Sequence, residues 1–326
     1  HARAFCFSNG AARRHKNLGR FLQISSKKFD GAGMTGSRAT AIGFTAVLMW
    51  ALLALFTIGS APVPPFLLNA LTFGIGGTLG LIWTLRNGIG RLRGISWRVY
   101  AFGIIGLFGY HALYFTAFRI APSAETGLMA YLWPLFIVLF ASFLPGERLR
   151  PMVILGALIA FAGAALIVLG READGAATPL GLFLGFLCAI TWAGYSTLSR
   201  RLGDVPTESV TIYCLGTALL SALVHPLVEE TVWPQDALGW LAVLALGIGP
   251  VGAAFFTWDI GMKKGDIQLL GVASYAAPLL STLALIVAGI ATASWTILVA
   301  ALLITAGAAL AARAGTEAGT GTSAKS

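Results

Sequence analysis

Residues Gly127–Leu135 read GLMAYLWPL, and residues Gly271–Leu279 read GVASYAAPL. The two stretches share Gly-x-x-x-Tyr-x-x-Pro-Leu at an offset of 144 residues. At the same offset Ala162-Gly163-Ala164-Ala165-Leu166 falls on Ala306-Gly307-Ala308-Ala309-Leu310. An offset of 142 sets Gly43-Phe44 on Gly185-Phe186 and Trp50-Ala51 on Trp192-Ala193. Apolar segments share single glycines and alanines by chance. A shared Tyr-x-x-Pro-Leu, a shared Gly-Ala-Ala-Leu and a shared Trp-Ala at nearly one offset are harder to dismiss, and mark an internal duplication.

What is duplicated is a set of apolar segments. Ten can be read: Ala39–Gly59, Pro64–Leu85, Trp97–Phe118, Ser123–Leu144, Pro151–Gly170, Pro179–Leu198, Pro206–Val228, Ala237–Ile260, Gln268–Gly289 and Ser294–Ala312. Each has about 20 residues, the length of helix that crosses a roughly 30 Å hydrocarbon core. They must be helices, because lipid cannot satisfy an open backbone. Composition agrees: 57% of the 326 residues are hydrophobic and 11% charged. A soluble globular protein carries about 25% charged residues. The expected fold is an all-α integral membrane protein of ten transmembrane helices.

The basic residues orient it. Even-numbered connections hold Arg86, Arg91, Arg93 and Arg98, then Arg148 and Arg150, Arg200 and Arg201, Lys263 and Lys264, whereas odd-numbered ones hold Arg119 and Arg171. The positive-inside rule places the even connections and both termini in the cytoplasm, and Glu229, Glu230 and Asp236 outside. A repeat of five helices re-enters the membrane from the opposite side. Residues 39–170 and 179–312 are therefore expected to form two inverted five-helix halves, an architecture that holds a solute near the bilayer midplane and exposes it to each side in turn.

Other function classes fit poorly. The net charge of +9 is spread between apolar runs and makes no basic face for nucleic acid. Three cysteines, Cys6, Cys188 and Cys214, form neither a disulfide framework nor a metal-ligand spacing. HExxH, GxSxG and Walker A patterns are absent from the sequence. Gly247, Gly249 and Gly252 spell GxGxxG, but no strand precedes them and Pro250 interrupts them. They read as a place where helices approach or bend. Gly76–Gly80 and Gly181–Gly185 read as close-packing GxxxG pairs. His1–Gly33 is a basic leader without an apolar run long enough for a signal peptide. Met34 reads as the natural start, residues 1–38 as lying outside the fold and 313–326 as a polar tail. No metal or cofactor is expected, and the chain is read as a monomer and a non-enzyme.

The whole of Met34–Arg313 resembles the EamA branch of the drug/metabolite transporter superfamily, on the two Tyr-x-x-Pro-Leu helices and the small-residue last helix of each half. Within that branch it is most similar to bacterial aromatic amino acid exporters. The features behind this are Met49-Trp50-Ala51, Tyr110-His111-Ala112-Leu113-Tyr114-Phe115, Ala121-Pro122-Ser123-Ala124-Glu125 and Tyr131-Leu132-Trp133-Pro134. The resemblance implies an exporter in a bacterial inner membrane.

Helix depth places the site. Trp50, Tyr131, Trp192 and Tyr275 fall in the middle third of their segments. Trp and Tyr normally favour the membrane interfaces, and at the centre they need hydrogen-bond partners that lipid lacks. They are expected to face the bundle interior. Pro134 and Pro278, three residues beyond the two tyrosines, are expected kinks that free backbone carbonyls there. His111 stands mid-segment with Tyr110 and Tyr114 on a broad shared face, and a polar side chain inside a span is a candidate for holding a polar head. With Tyr195 they make a substrate-binding set of Trp50, Tyr110, His111, Tyr114, Tyr131, Trp192, Tyr195 and Tyr275. Glu125 reads as a helix cap, and Asp259 as an interfacial ion pair with Lys263.

An aromatic-walled cavity suits aromatic or other bulky apolar amino acids and related metabolites. Scarce intramembrane charge favours facilitated movement over an acid–base relay. The alternative is other cargo, such as nucleobases, drug-like cations or sugar conjugates; cations would call for a deep acid and nucleotides for several inward bases, and neither is evident. An intramembrane enzyme would need a cluster of His, Asp, Glu or Cys at one depth, and His111 stands alone.

Overall fold

A computed structural model describes the backbone of residues 34–121, 123–169 and 178–323, and their side chains except at 123–125 and 315–323. His1–Gly33, Cys6, Pro122, Arg171 and the side chain of Glu125 lie outside the described residues.

The described residues are helical, without strands. In chain order the helices are α1 Gly36–Ala51, α2 Leu53–Gly59, α3 Pro65–Asn87, α4 Trp97–Ile120, α5 Ser123–Ala130, α6 Trp133–Ala141, α7 Pro151–Leu169, α8 Pro179–Ser199, α9 Ser209–Val228, α10 Ala237–Ile248, α11 Ala254–Lys264, α12 Ile267–Ala273, α13 Ala276–Val287 and α14 Trp295–Ser323. Joined across their short breaks, they give nine spans long and apolar enough to cross a membrane, plus a shorter apolar helix, Thr126–Ala141.

The shorter helix is the fourth sequence segment, expected over Ser123–Leu144. It breaks at Tyr131-Leu132 into α5 and α6, because Pro134 enters in the first turn of α6 and has no amide to carry the ladder back. The ninth segment breaks at the matching place, Ser274-Tyr275, between α12 and α13. The eighth widens into a π-helical turn over Gly249–Ala253 at Pro250, then continues to Lys264 rather than stopping at Ile260. The last helix runs past Ala312 to Ser323.

Helix starts follow from local chemistry. Pro65 and Pro179 open α3 and α8 in first-turn positions that lack an amide partner anyway. The Thr178 hydroxyl accepts from Gly181 N, and the Asp236 and Asp266 carboxylates accept from Gly239 N and Leu269 N. Trp97, Trp233, Trp240 and Trp295 lie exposed at helix starts, as residues of an interfacial aromatic belt do.

Helices α3 and α9 lie antiparallel and are stitched along their length. Asn69 Nδ2 donates to Ser221 Oγ at 2.6 Å, and the Thr84 and Thr211 hydroxyls meet at 3.0 Å. At one end the Glu229 carboxylate accepts from Phe66 N at 2.9 Å and pairs with Arg119 and His225. At the other, Glu208 pairs with Arg91 at 3.1 Å. Glycines allow the closest approaches. A Cβ on Gly76 would meet Gly252 Cα at 2.7 Å, and one on Gly43 would meet Gly261 Cα at 2.8 Å. Two of the three GxGxxG glycines thus serve close packing, Gly252 against Gly76 and Gly247 against Ile75, whereas a Cβ on Gly249 would meet nothing within 4 Å. Gly156 and Gly163 do the same between α7 and α14.

Candidate substrate site

The core of the bundle is aromatic. Trp50 comes from α1, Trp133 from α6, Trp192 from α8, and Phe255 and Trp258 from α11. Trp50 is the hub: its ring centroid lies 5.0 Å from Trp258, 5.6 Å from Trp192, and 6.2 Å from both Trp133 and Phe255. Trp192 lies over Trp258 in near-parallel planes and edge-on to Trp133. Offset and edge-to-face pairs like these match positive ring edges to negative faces. Trp133, Trp192 and Trp258 are buried, whereas Trp50 is half-buried.

Two of the indole donors find partners inside the bundle. Trp50 Nε1 donates to the Pro250 carbonyl at 3.0 Å, in the π-helical turn. Trp258 Nε1 donates to Ser196 Oγ at 3.0 Å. The bond from Trp50 links α1 to the turn between α10 and α11.

Against this aromatic block stands α4. Tyr110 packs on Trp192 at 5.2 Å and touches both His111 and Tyr114. The His111 ring lies edge-on to Phe73 at 5.0 Å and 6.2 Å from Phe255, and Phe73 stacks on Phe255. Its Nδ1 lies 2.7 Å from Leu107 O. Tyr110, His111 and Tyr114 are all half-buried. Tyr114 extends away from the tryptophans onto Phe118, 4.3 Å between ring centroids.

The structure therefore brings together Trp50, Tyr110, His111 and Trp192, with Tyr114 at the margin. It takes others elsewhere. Tyr195 touches Trp192 but turns to α4, stacked on Phe102 and lying over Gly106. Tyr275 is fully buried in a separate core with Phe161 and Val138. Its hydroxyl accepts from Leu135 N at 3.1 Å, an amide released by the break at Tyr131-Leu132. That bond makes Tyr275 a brace between the two broken helices. Tyr131 is half-buried at the break itself. Pro134 and Pro278 sit in the first turns of α6 and α13, directly after the two breaks.

Trp133, Phe255, Trp258 and Phe73 are cluster members that sequence reasoning passed over. The repeat held a signal for two of them. Phe255 lies 144 residues after His111, and Trp258 lies 144 after Tyr114.

Charge is present near this core but is internally matched. Lys263 Nζ lies 2.9 Å from Asp259, with side chains 3% and 1% exposed. The i,i+4 pair is thus as expected, and it is buried within the protein. Thr207 Oγ1 donates to Asp259, and Lys263 donates to Val205 O. Arg200 pairs with Glu147 at 3.0 Å and donates to Gly265 O. Among the described residues no three His, Cys, Asp or Glu side chains gather to hold a metal. Cys188 and Cys214 are free and buried.

The model of the EamA-like transporter family matches residues 38–169 and 179–313. The chain belongs to the EamA-like transporter family. It is 56% identical over 283 residues to the aromatic amino acid exporter YddG of Ancylobacter novellus, covering 85% of this chain and 98% of that protein. The aromatic amino acid exporter YddG of Salmonella typhimurium is 27% identical over 267 residues, with 76% and 88% covered. A crystal structure 55% identical to the chain superposes with a TM-score of 0.81 and covers 85% of this chain and 98% of its own. With nine apolar spans among its described residues, this EamA-like transporter is a multi-pass membrane protein, and its named relatives are transporters rather than enzymes.

Proposed function

We propose that this EamA-like transporter exports aromatic and other bulky apolar amino acids across the bacterial inner membrane by alternating access, down their gradient and as a monomer in the lipid bilayer. Ten transmembrane helices form two inverted halves, 39–170 and 179–312, with both termini in the cytoplasm. The observation that carries this reading is the aromatic cluster, built from α1, α4, α6, α8 and α11, and so from both halves. In an inverted-repeat transporter the solute sits where the halves meet.

Several features support it. Trp50, Tyr110, His111 and Trp192 give a largely aromatic wall suited to a ring-bearing side chain, with the His111 imidazole and the Tyr110 hydroxyl as its polar groups. The broken helices at Tyr131 and Tyr275, followed by Pro134 and Pro278, supply matched hinges on both sides of the centre. The antiparallel α3–α9 pair is what inverted second and seventh helices require. The buried Asp259 is paired with Lys263 rather than standing alone for proton coupling. The similarity to proteins named as aromatic amino acid exporters points to the cargo.

The test is movement of radiolabelled phenylalanine in proteoliposomes without an ion gradient. Saturable efflux, competed by tryptophan, is expected. No movement above empty liposomes, with or without a proton gradient, would remove the amino acid assignment.

A further inference from the structure

His111 stands in the aromatic wall beside the Tyr110 ring, and its hydrogen bonding fixes what it can offer. Nδ1 lies 2.7 Å from Leu107 O, one turn earlier in α4. A backbone carbonyl only accepts, so Nδ1 carries the proton. In a neutral imidazole Nε2 is then a lone-pair acceptor. The ring is surrounded by Phe73, Tyr110, Phe115 and Phe255. Among the described residues no carboxylate pairs with it to hold an imidazolium.

Nε2 makes no hydrogen bond to the described protein. The sealed side-chain polar atoms without partners are Thr126 Oγ1, Thr197 Oγ1, Ser209 Oγ, Thr217 Oγ1 and Gln268 Oε1. Nε2 is not among them, so it meets accessible space. The residue 144 positions on, Phe255, offers no acceptor. At this pair of matched positions the polar atom therefore lies on the α4 side, and it is a lone pair.

We infer that His111 Nε2 accepts a hydrogen bond from the ammonium group of the cargo, making His111 a specificity residue for a primary amine. This rests on the proposed amino acid transport and names the recognition within it. An ammonium offers three donors to the lone pair; a carboxylate would set lone pair against lone pair. A site built around a buried acceptor rejects an analogue that lacks the donor.

Two measurements test this. The first is 15N NMR of the purified protein labelled at histidine, with His111 assigned by its loss in His111→Phe. A protonated Nδ1 with a bare Nε2 is expected; a protonated Nε2 would overturn the inference even if phenylalanine moves. The second is competition against labelled phenylalanine by phenethylamine, which lacks the carboxylate, and 3-phenylpropionate, which lacks the amine. His111→Phe should weaken phenylalanine and phenethylamine about tenfold or more and leave 3-phenylpropionate within about twofold. Equal or greater weakening of 3-phenylpropionate would overturn it. A wild-type protein that neither binds nor moves phenylalanine would overturn the transport reading instead, and the bare Nε2 would still be read by NMR.

Discussion

His111 and Phe255 are separated by the same 144 residues that relate the two Tyr-x-x-Pro-Leu segments, and their rings lie 6.2 Å apart. Trp50 and Trp192, 142 residues apart, lie 5.6 Å apart. Matched positions of the two halves therefore meet at the centre of the molecule. They meet with different chemistry: His111 opposes Phe255, and Tyr114 corresponds to Trp258. A duplicated chain that kept both walls alike would bind a symmetric solute. Here an aromatic ring, Phe255, faces an imidazole, His111, which suits a solute with an aromatic end and a polar end.

The Trp50 indole ties the first span to the Pro250 carbonyl in the π-helical turn. Trp50→Phe keeps a ring and removes the donor. It is expected to cost about 1 kcal/mol of stability, the worth of a typical hydrogen bond. Thermal unfolding in detergent checks this, and an unchanged melting temperature would show that the bond contributes nothing.

The buried Asp259–Lys263 pair makes a sharper prediction. Asp259→Asn leaves the ammonium of Lys263 buried without a counter-charge and is expected to destabilise by about 3–5 kcal/mol. The double variant Asp259→Asn with Lys263→Met removes both charges and should recover much of the loss. If phenylalanine moves down its gradient without a proton relay, efflux by the double variant should stay within about twofold of wild type. Unfolding curves and efflux rates of the two variants decide it.

Glu229 is 1% exposed and accepts from Phe66 N, Leu67 N and His225 while pairing with Arg119. Glu229→Gln keeps the shape and loses the charge. The expected cost is about 1.5–3 kcal/mol, drawn from hydrogen bonds to a charged group. The contribution of Arg119, 41% exposed, is discounted for solvent screening. Arg119→Gln should therefore destabilise less than Glu229→Gln, and the reverse order would contradict this placement.

Two glycines on α3 provide a packing control. A Cβ at Gly76 would meet Gly252 Cα at 2.7 Å, whereas a Cβ at Gly74 meets nothing within 4 Å. Gly76→Ala is expected to cost about 1–3 kcal/mol through overpacking. Gly74→Ala should be neutral or slightly stabilising, since it only removes the freedom of glycine. Parallel melts of the two variants check the contrast.

Much of this molecule was legible from hydrophobic length and the repeat. Segment positions, the Trp50–Trp192 pair and the polar face of α4 follow from counting along apolar runs. The break at Tyr131-Leu132 was not so plain, because a proline in a span signals a kink without saying whether the helix is interrupted. Tyr275 was misplaced for a related reason. The break beside Pro134 releases the Leu135 amide, and the Tyr275 hydroxyl accepts from that amide inside a core separate from the tryptophan cluster. Trp258 was passed over because the eighth segment was ended at Ile260. The actual helix runs to Lys264, so Trp258 lies a turn and a half from its end. Trp133 matches Ala277 in the repeat, so no symmetry argument singles it out.

The central claim is that cargo binds at the aromatic cluster where the halves meet. The most direct measurement is the Kd of phenylalanine for the purified protein by calorimetry, comparing Trp192→Leu with Trp240→Leu. Trp192 is in the cluster at 3% exposure, and Trp240 lies on the surface at 46%. Trp192→Leu should weaken binding about tenfold or more, as loss of a buried aromatic anchor does, while Trp240→Leu leaves it unchanged. Equal Kd values for Trp192→Leu and wild type, with both proteins folded, would contradict the account.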